Sequence, residues 1–347
     1  MKSTLKHLDM NILVRFGADL LVHAGVPEEK ALYLANLIVE TEAFKQATHG
    51  LVQFQVIYNL IKAKRVNPRA EAKVLSKTPS GVLLDGRKVI GALTVRTARE
   101  MAMRMAAKNG IGFAAGNTHW IGALGTHLRP AVEGGYLAML FAQINTCKDA
   151  APFGGIEARF STNPIALAFP SDSGPMIADF STTTMSMAMA SQMAKAGRKT
   201  ETNRFIDGKG FPTDDPAVMK QGGTMMFTGG DLEGFKFYAW ALFIEALAAL
   251  SGGSANNPAA PSFQSFSLII LNPGRFGGPE HYRKEMKRFI RHLKSARGRP
   301  GFKAVRLPGE RGFDALAACR EKGIPLDDDK IDLLRNLSRE SGIALEI

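Results

Sequence analysis

The sequence has very little cysteine and no long uninterrupted apolar run. Cys147 and Cys319 are its only cysteines, which excludes a disulfide framework and a cysteine-based zinc site and favours a reducing compartment. The most apolar stretch, 237–250, is too short to cross a bilayer and contains Glu245. The N-terminal residues lack a clean signal-peptide core. We therefore predict a soluble, cytoplasmic protein in which residues 237–250 form a buried helix.

The composition is that of a globular protein. Hydrophobic residues make up 45% of the 347 residues and charged residues 22%, which excludes intrinsic disorder, collagen and a coiled coil for the whole chain. The length predicts two lobes or one large fold. The net charge, 44 − 32 = +12, would suit nucleic acid, an anionic membrane or a site for anionic small molecules. Composition does not choose among these three.

Helical and strand patterns follow one another along the chain. Apolar residues at helical spacing begin near Ile12, Gly25 ends that helix, and Pro27 begins the next one. Asp85-Gly86 predicts a turn within a short β-rich run. Further strand-like runs alternate with helices, which predicts an α/β fold with flanking helices. The expected divisions are an N-terminal helical segment (1–75), a mixed α/β core (76–310) and C-terminal helices (311–347).

The usual nucleotide-binding fingerprints are missing. Residues 110–115 fit the spacing G-x-G-x-x-A, but the dinucleotide fingerprint requires a strand before the glycines and a helix after them. Here a predicted helix ends at Gly110 and a strand follows, so Gly110 is interpreted as a helix C-cap. The sequence also has no Walker loop. Any nucleotide site must therefore belong to a fold other than Rossmann.

Two histidines and one aspartate lie at positions typical of functional sites. His49 lies between two predicted helices beside the Thr48 hydroxyl, and His119 follows a strand. For either histidine alone, a helix cap or a buried structural histidine is the more common explanation, and His127 is undecided. Asp179 ends a strand and precedes Ser181, a pattern that suits an anion or ribose site but equally an N-cap.

Two other features have simpler interpretations. The methionines of 185–193 have helical spacing, which favours core packing over a cofactor site. Basic residues cluster in 62–65, 283–299 and 306–311 without regular aromatic residues between them. Solvated helix faces explain these clusters best, and nucleic-acid binding is a minority interpretation.

Short motifs across nearly the whole chain resemble the malate/L-lactate dehydrogenase family, which lacks a Rossmann fold. The closing motifs and the His-Trp pair after Asn117 look most like its 2,3-diketo-L-gulonate reductase branch. The motifs are THG (48–50), GIGFAAGNTHW (110–120), PFGG (152–155), STNPIALAFP (161–170), ADFST (178–182), GFK (234–236), RLPGE (306–310) and GIPLDDD (323–329).

The resemblance implies reversible hydride transfer between NAD or NADP and a small 2-oxo or 2-hydroxy acid or a related carbonyl compound. The alternatives are a cyclic imine reductase and a member that has lost catalysis and only binds a metabolite or dinucleotide. The alkoxide formed on reduction needs an acid with a pKa near neutrality, which histidine supplies. The family's proton donor corresponds to His49, with Thr48 beside it, and His119 is the second candidate. A homodimer is also implied, with no nucleic-acid or membrane partner.

The resemblance also implies cofactor contacts. They correspond to Asp179, Ser181, Thr182, Phe235, Lys236, Pro308, Gly309 and Glu310. One departure is Phe237, which replaces the glycine after the family's lysine and would crowd a close approach of the cofactor.

A larger departure is Gln53, where the family has an arginine that binds the substrate carboxylate. Gln is neutral and cannot compensate that charge. Either Lys148 or Arg129 has taken over the role, or the substrate is not a simple 2-oxo acid. We favour the altered substrate, because the sequence does not show that either cation reaches the site.

Overall fold

Ten α-helices lie within residues 5–302 and 304–346, which are the residues that the computed structural model describes. A 3₁₀ turn, Ala47–His49, separates the second helix from the third. In chain order the helices are α1 (Met10–His23), α2 (Glu28–Ala43), α3 (Val52–Lys62), α4 (Gly91–Asn109), α5 (Leu124–Glu133), α6 (Met187–Lys195), α7 (Gly230–Leu250), α8 (Pro279–Lys294), α9 (Glu310–Lys322) and α10 (Asp328–Ser341).

Twelve strands lie in the same described ranges. They are β1 (Lys6–Leu8), β2 (Lys73–Lys77), β3 (Gly81–Ile90), β4 (Ile111–His119), β5 (Leu137–Ile144), β6 (Ile165–Phe169), β7 (Met176–Phe180), β8 (Phe205–Ile206), β9 (Pro212–Thr213), β10 (Thr224–Met225), β11 (Gln264–Leu271) and β12 (Ile324–Leu326).

A seven-stranded mixed sheet is the centre of the fold, with the order β2-β3-β4-β11-β5-β6-β7. Only β3 and β4 run parallel, and every other neighbouring pair in this sheet is antiparallel. Helices α4 and α5 share a core with the sheet, and α7 contributes to a separate apolar cluster with β5 and β6. The mixed α/β fold with flanking helices, and without Rossmann connectivity, is therefore confirmed.

The two ends of the chain pack together. Strand β1 pairs with β12, and α1, α2 and α3 share one apolar core with α9 and α10. We call this part of the molecule the helical body. The division into three segments stays a prediction, although the first and last of those segments share a core.

Several local predictions are confirmed. Gly25 and Gly110 follow α1 and α4 with φ of 94° and 88°, a conformation that glycine adopts without strain. Pro27 is the N-cap of α2. Gly110 is therefore a C-cap and no part of a dinucleotide fingerprint.

The turn predicted at Asp85-Gly86 is wrong, because β3 continues through both residues. The Asp85 carboxylate accepts hydrogen bonds from the backbone and side chain of Arg87. Any Cβ at Gly86 would collide with the side chain of Thr94 in α4. This glycine therefore allows helix α4 to approach the sheet closely and does not turn the chain.

Two predictions of buried helices are also wrong. In α6, Met187 and Met189 are exposed and only Ala190 is buried, so these methionines are not core residues. Helix α7 buries one side, but Trp240 and Phe243 on it are 46% and 50% exposed. Sequence periodicity does not distinguish an apolar helix with two covered sides from one with a single covered side. Among the described residues, no helix has both the length and the apolar character needed to cross a bilayer.

We predict that Glu42 is a major determinant of the stability of the helical body. Its buried carboxylate accepts a hydrogen bond from the backbone N–H of Leu51 (3.0 Å) and pairs with Lys330 (2.6 Å). Glu42→Ala should lower the free energy of unfolding by about 3 kcal/mol, since it leaves a buried cation unpaired. Urea denaturation measures the change. Glu340→Ala, which breaks an exposed pair with Lys62, is the control, and equal losses in both variants would contradict the prediction.

Candidate active site

A short turn between α2 and α3 carries His49. Glu42 near the end of α2 accepts the N–H of Leu51, and a Cβ at Gly50 would collide with the Glu42 side chain and backbone. Glycine is therefore required at position 50, and the turn is held close against α2.

The hydroxyl of Thr48 hydrogen-bonds the Nδ1 atom of His49 at 3.0 Å. This contact fixes the ring and leaves Nε2 as the atom that exchanges a proton with a ligand. Burial lowers the pKa of His49 below its ordinary value, and the negative charge of Asp179 opposes that shift. His49 is thus a neutral base at pH 7 whose protonated form is a stronger acid than free histidine.

The side chain of Gln53 braces the same turn. Its Nε2 donates to the carbonyl of Thr48 at 2.8 Å, and its Oε1 accepts from the indole N–H of Trp120. Trp120 itself has a φ of 54°, which is uncommon for a bulky residue. Gln53 therefore ties the His49 turn to the segment that follows β4.

Asp179 lies near the end of β7. Its Oδ2 accepts hydrogen bonds from the backbone N–H of Gly125 (2.8 Å), at the start of α5, and from the side chain of Gln46 (3.3 Å). Burial raises its pKa, while these donors and the charge of His49 act in the opposite direction. The site is therefore formed between the helical body and one edge of the sheet.

Both His49 and Asp179 line a cavity of about 640 Å³, which is within the usual size range of small-molecule sites. We call it the His49 cavity. Its other walls are rich in hydroxyls and include two aromatic rings. They are formed by Gln46, Thr48, Gly122, Ala123, Leu124, Thr162, Pro164, Phe180, Ser181, Thr183, Thr184, Ser186, Thr228 and Phe237.

A second cavity of about 260 Å³ meets the first at Gln46 and Asp179. We call it the basic cleft, because Lys45, Arg129, Arg306 and Arg311 line it. Arg129 is paired with Glu40 and Glu133. The other three cations make no ion pair with any carboxylate among residues 5–302 and 304–346. The first turn of α9 also lines the cleft and adds positive potential at its N-terminus.

The cofactor residues expected from the resemblance are only partly brought together. Asp179 and Ser181 line the His49 cavity, and Gly309 lines the basic cleft. Thr182 is buried and donates to the carbonyl of Thr162. Pro308 accepts from the N–H of Ile177 on β7.

The remaining expected residues lie outside both cavity walls. Phe235 and Lys236 are in the first turns of α7, where Lys236 pairs with Glu233. Glu310 pairs with Lys294 and accepts the N–H of Leu307.

The other histidines are separated from His49. His119 ends β4 and is not part of the His49 cavity wall, and burial together with the charges of Arg65 and Lys88 lowers its pKa. His127 is fully buried with Nε2 on the carbonyl of Ile121, and burial lowers its pKa to about 4. His127 is therefore a neutral core residue.

Sequence reasoning missed several residues of the site. Gln46 and Trp120 act through hydrogen bonds to residues 133 and 67 positions away, and nothing local in the sequence indicates such contacts. Arg306 and Arg311 were interpreted as solvated surface, yet they line the basic cleft. Phe237 does reach the site, where it packs against Phe180 with ring centroids 6.3 Å apart.

Comparisons with known proteins agree with this architecture. The family model described as malate/L-lactate dehydrogenase matches residues 8–335. The chain is 27% identical to the L-sulfolactate dehydrogenase of Methanocaldococcus jannaschii, over 94% of this chain and 95% of that protein. It is 26% identical to a Delta(1)-pyrroline-2-carboxylate/Delta(1)-piperideine-2-carboxylate reductase of Pseudomonas putida, over 90% and 91%.

The fold itself is also found among solved structures. The malate dehydrogenase of Pyrococcus horikoshii OT3 superimposes with a TM-score of 0.89 at 24% identity, covering 99% of this chain and 97% of that one. These matches do not single out the diketogulonate reductase branch, which stays a prediction. The chain belongs to the malate/L-lactate dehydrogenase family, and it is an oxidoreductase of that family.

Proposed function

We propose that the protein transfers a hydride between a nicotinamide dinucleotide and a small carbonyl or hydroxy compound, with His49 as the proton donor. The observation that carries this proposal is the Thr48-braced, partly buried His49 in a cavity that opens at Asp179 into a basic cleft. His49 gives its proton to the substrate oxygen during reduction and takes it back during oxidation. When bound, the dinucleotide supplies or accepts the hydride.

The residues present fit NAD or NADP. The phosphates carry negative charge, and the unpaired Lys45, Arg306 and Arg311 of the basic cleft would hold them. The ribose hydroxyls and carboxamide N–H groups are donors, and the His49 cavity offers the Asp179 carboxylate as an acceptor beside several hydroxyl oxygens. The two cavities meet, so one extended molecule can occupy both.

A cyclic imine is the second candidate substrate class. The named activity of the Pseudomonas putida relative is the observation in its favour. The role of His49 would differ little, because reduction of an imine carbon also requires nitrogen to hold a proton. Loss of catalysis is the remaining alternative, and the kinetic experiment below tests it directly.

We also propose that the protein is a homodimer that uses the exposed side of α7. Leu232, Phe235, Trp240, Phe243 and Leu250 expose from 46% to 87% of their surfaces there. With fully exposed aromatic side chains near 200 Å², such residues together offer several hundred Å², approaching one partner's share of a standard interface. The cytoplasmic location expected from the two free cysteines stays a prediction.

The first prediction concerns His49. His49→Ala should lower turnover by roughly two to four orders of magnitude, the usual contribution of a general acid, while dinucleotide affinity stays nearly unchanged. Steady-state kinetics and fluorescence titration measure the two quantities. His119→Ala is the matched control and should affect turnover much less, because His119 lies outside the cavity. If His119→Ala shows the larger loss, the acid role belongs to His119.

A second prediction follows from the charge of Asp179. Its negative charge raises the pKa of His49, so Asp179→Asn should lower that pKa further below 6.5. Reduction needs protonated His49, so the falling limb of the kcat/KM profile for reduction should move to lower pH. NMR titration of the histidine ring checks the same shift directly. Glu280→Gln, at the exposed start of α8, is the control, and an upward shift in Asp179→Asn would refute the electrostatic account.

A third prediction concerns the basic cleft. Arg306→Ala with Arg311→Ala should weaken binding of NADH and NADPH by about tenfold or more, since each arginine would make a charge-assisted contact to phosphate. Thermal shift at several salt concentrations measures this, and the loss should shrink as salt screens the wild-type contacts. Arg283→Ala, on the exposed face of α8, is the control. Unchanged affinity in the double variant would remove the phosphates from the cleft.

A further inference from the structure

We infer that the His49 cavity takes a small uncharged carbonyl compound bearing hydroxyl groups and excludes a substrate carboxylate. This inference rests on the proposed reductase function and concerns only its substrate class. Three observations carry it: the position of Gln53, the positions of the nearby cations, and the direction of the hydroxyl hydrogen bonds.

Gln53 is a structural brace and no substitute for a carboxylate clamp. Its side chain is buried, with 8% exposure, and is not part of the His49 cavity wall. Its amide nitrogen donates to Thr48 and its oxygen accepts from Trp120. The residue therefore serves as a positioning residue for the Thr48-His49 turn and has no charge to offer a ligand.

Neither candidate cation takes over the missing charge. Arg129 lines the basic cleft and is occupied by Glu40 and Glu133. Lys148 is exposed and lies outside the walls of both cavities. Within the described part of the chain, no Lys or Arg lines the His49 cavity. A carboxylate bound there would be desolvated without compensation, next to the negatively charged Asp179.

The hydroxyls of the cavity present acceptors. Each of four hydroxyls donates its proton to a backbone carbonyl: Ser181 and Thr228 to Thr183, Thr183 to Met185, and Thr184 to Arg204. Their remaining capacity is as lone-pair acceptors, which suits ligand O–H groups. A carboxylate is itself an acceptor only, so it finds no partner among these groups.

The test compares matched substrates that differ in the carboxylate. Wild-type kcat/KM is measured for pyruvate, its methyl ester and hydroxyacetone, with saturating cofactor. We expect the two neutral compounds to exceed pyruvate by about a hundredfold or more, because an uncompensated buried charge is costly. Inhibition by oxamate and by its methyl ester repeats the comparison without a reactive carbonyl. A preference for pyruvate and for oxamate would overturn the inference.

Variants separate the causes. Gln53→Arg should raise the pyruvate-to-methyl-pyruvate ratio of kcat/KM, whereas Gln53→Met, which removes the same hydrogen bonds without adding charge, should not. Lys148→Ala should leave the wild-type ratio unchanged, and its loss of pyruvate turnover would show that the clamp has moved to Lys148. If no carbonyl compound is reduced at all, the proposed function fails. Thermal protection then decides the inference alone, since stronger protection by oxamate than by its methyl ester contradicts it.

Discussion

The buried carboxylate of Glu42 joins the two ends of the chain to the turn that carries His49. One oxygen accepts the N–H of Leu51 at the start of α3, and the other pairs with Lys330 in α10. Gly50 packs directly on this side chain because no Cβ fits between them. The catalytic turn is therefore fixed by the helical body before any ligand binds, and its geometry does not depend on induced ordering.

The sheet supplies the other half of the site. Asp179 comes from β7 and is oriented by the first N–H groups of α5, while Gln46 contacts it from the helical body. A carboxylate held in this way favours protonation of His49, whereas burial disfavours it. The balance of these two effects sets how readily His49 gives up a proton, so the relative position of two separate structural units tunes one acid.

Much of the fold follows from local sequence signals, but the site does so only in part. Gly25 and Gly110 end helices because their positive φ costs glycine little, and this is visible in the sequence. Gly86 has an equally strong local signal, yet contact with Thr94 determines its role. His49 and Asp179 were identified from motifs, whereas Gln46 and Trp120 bind partners distant in sequence. The exposed side of α7 was missed because amphipathicity disappears when both sides of a helix are apolar.

The distribution of charge connects the net charge of +12 to the two departures from the family pattern. The unpaired cations lie at the basic cleft and the bases of α8 lie on its exposed face, whereas the wall around His49 combines Phe180 and Phe237 with acceptor oxygens. Gln53 removes a positive charge from the turn, and Phe237 adds apolar surface to the same cavity. Both changes make the His49 cavity less favourable for an anion, while the cleft next to it remains favourable for phosphate. Attraction of an anionic cofactor and selection of the substrate can therefore be separate properties of two adjoining cavities, joined at Asp179.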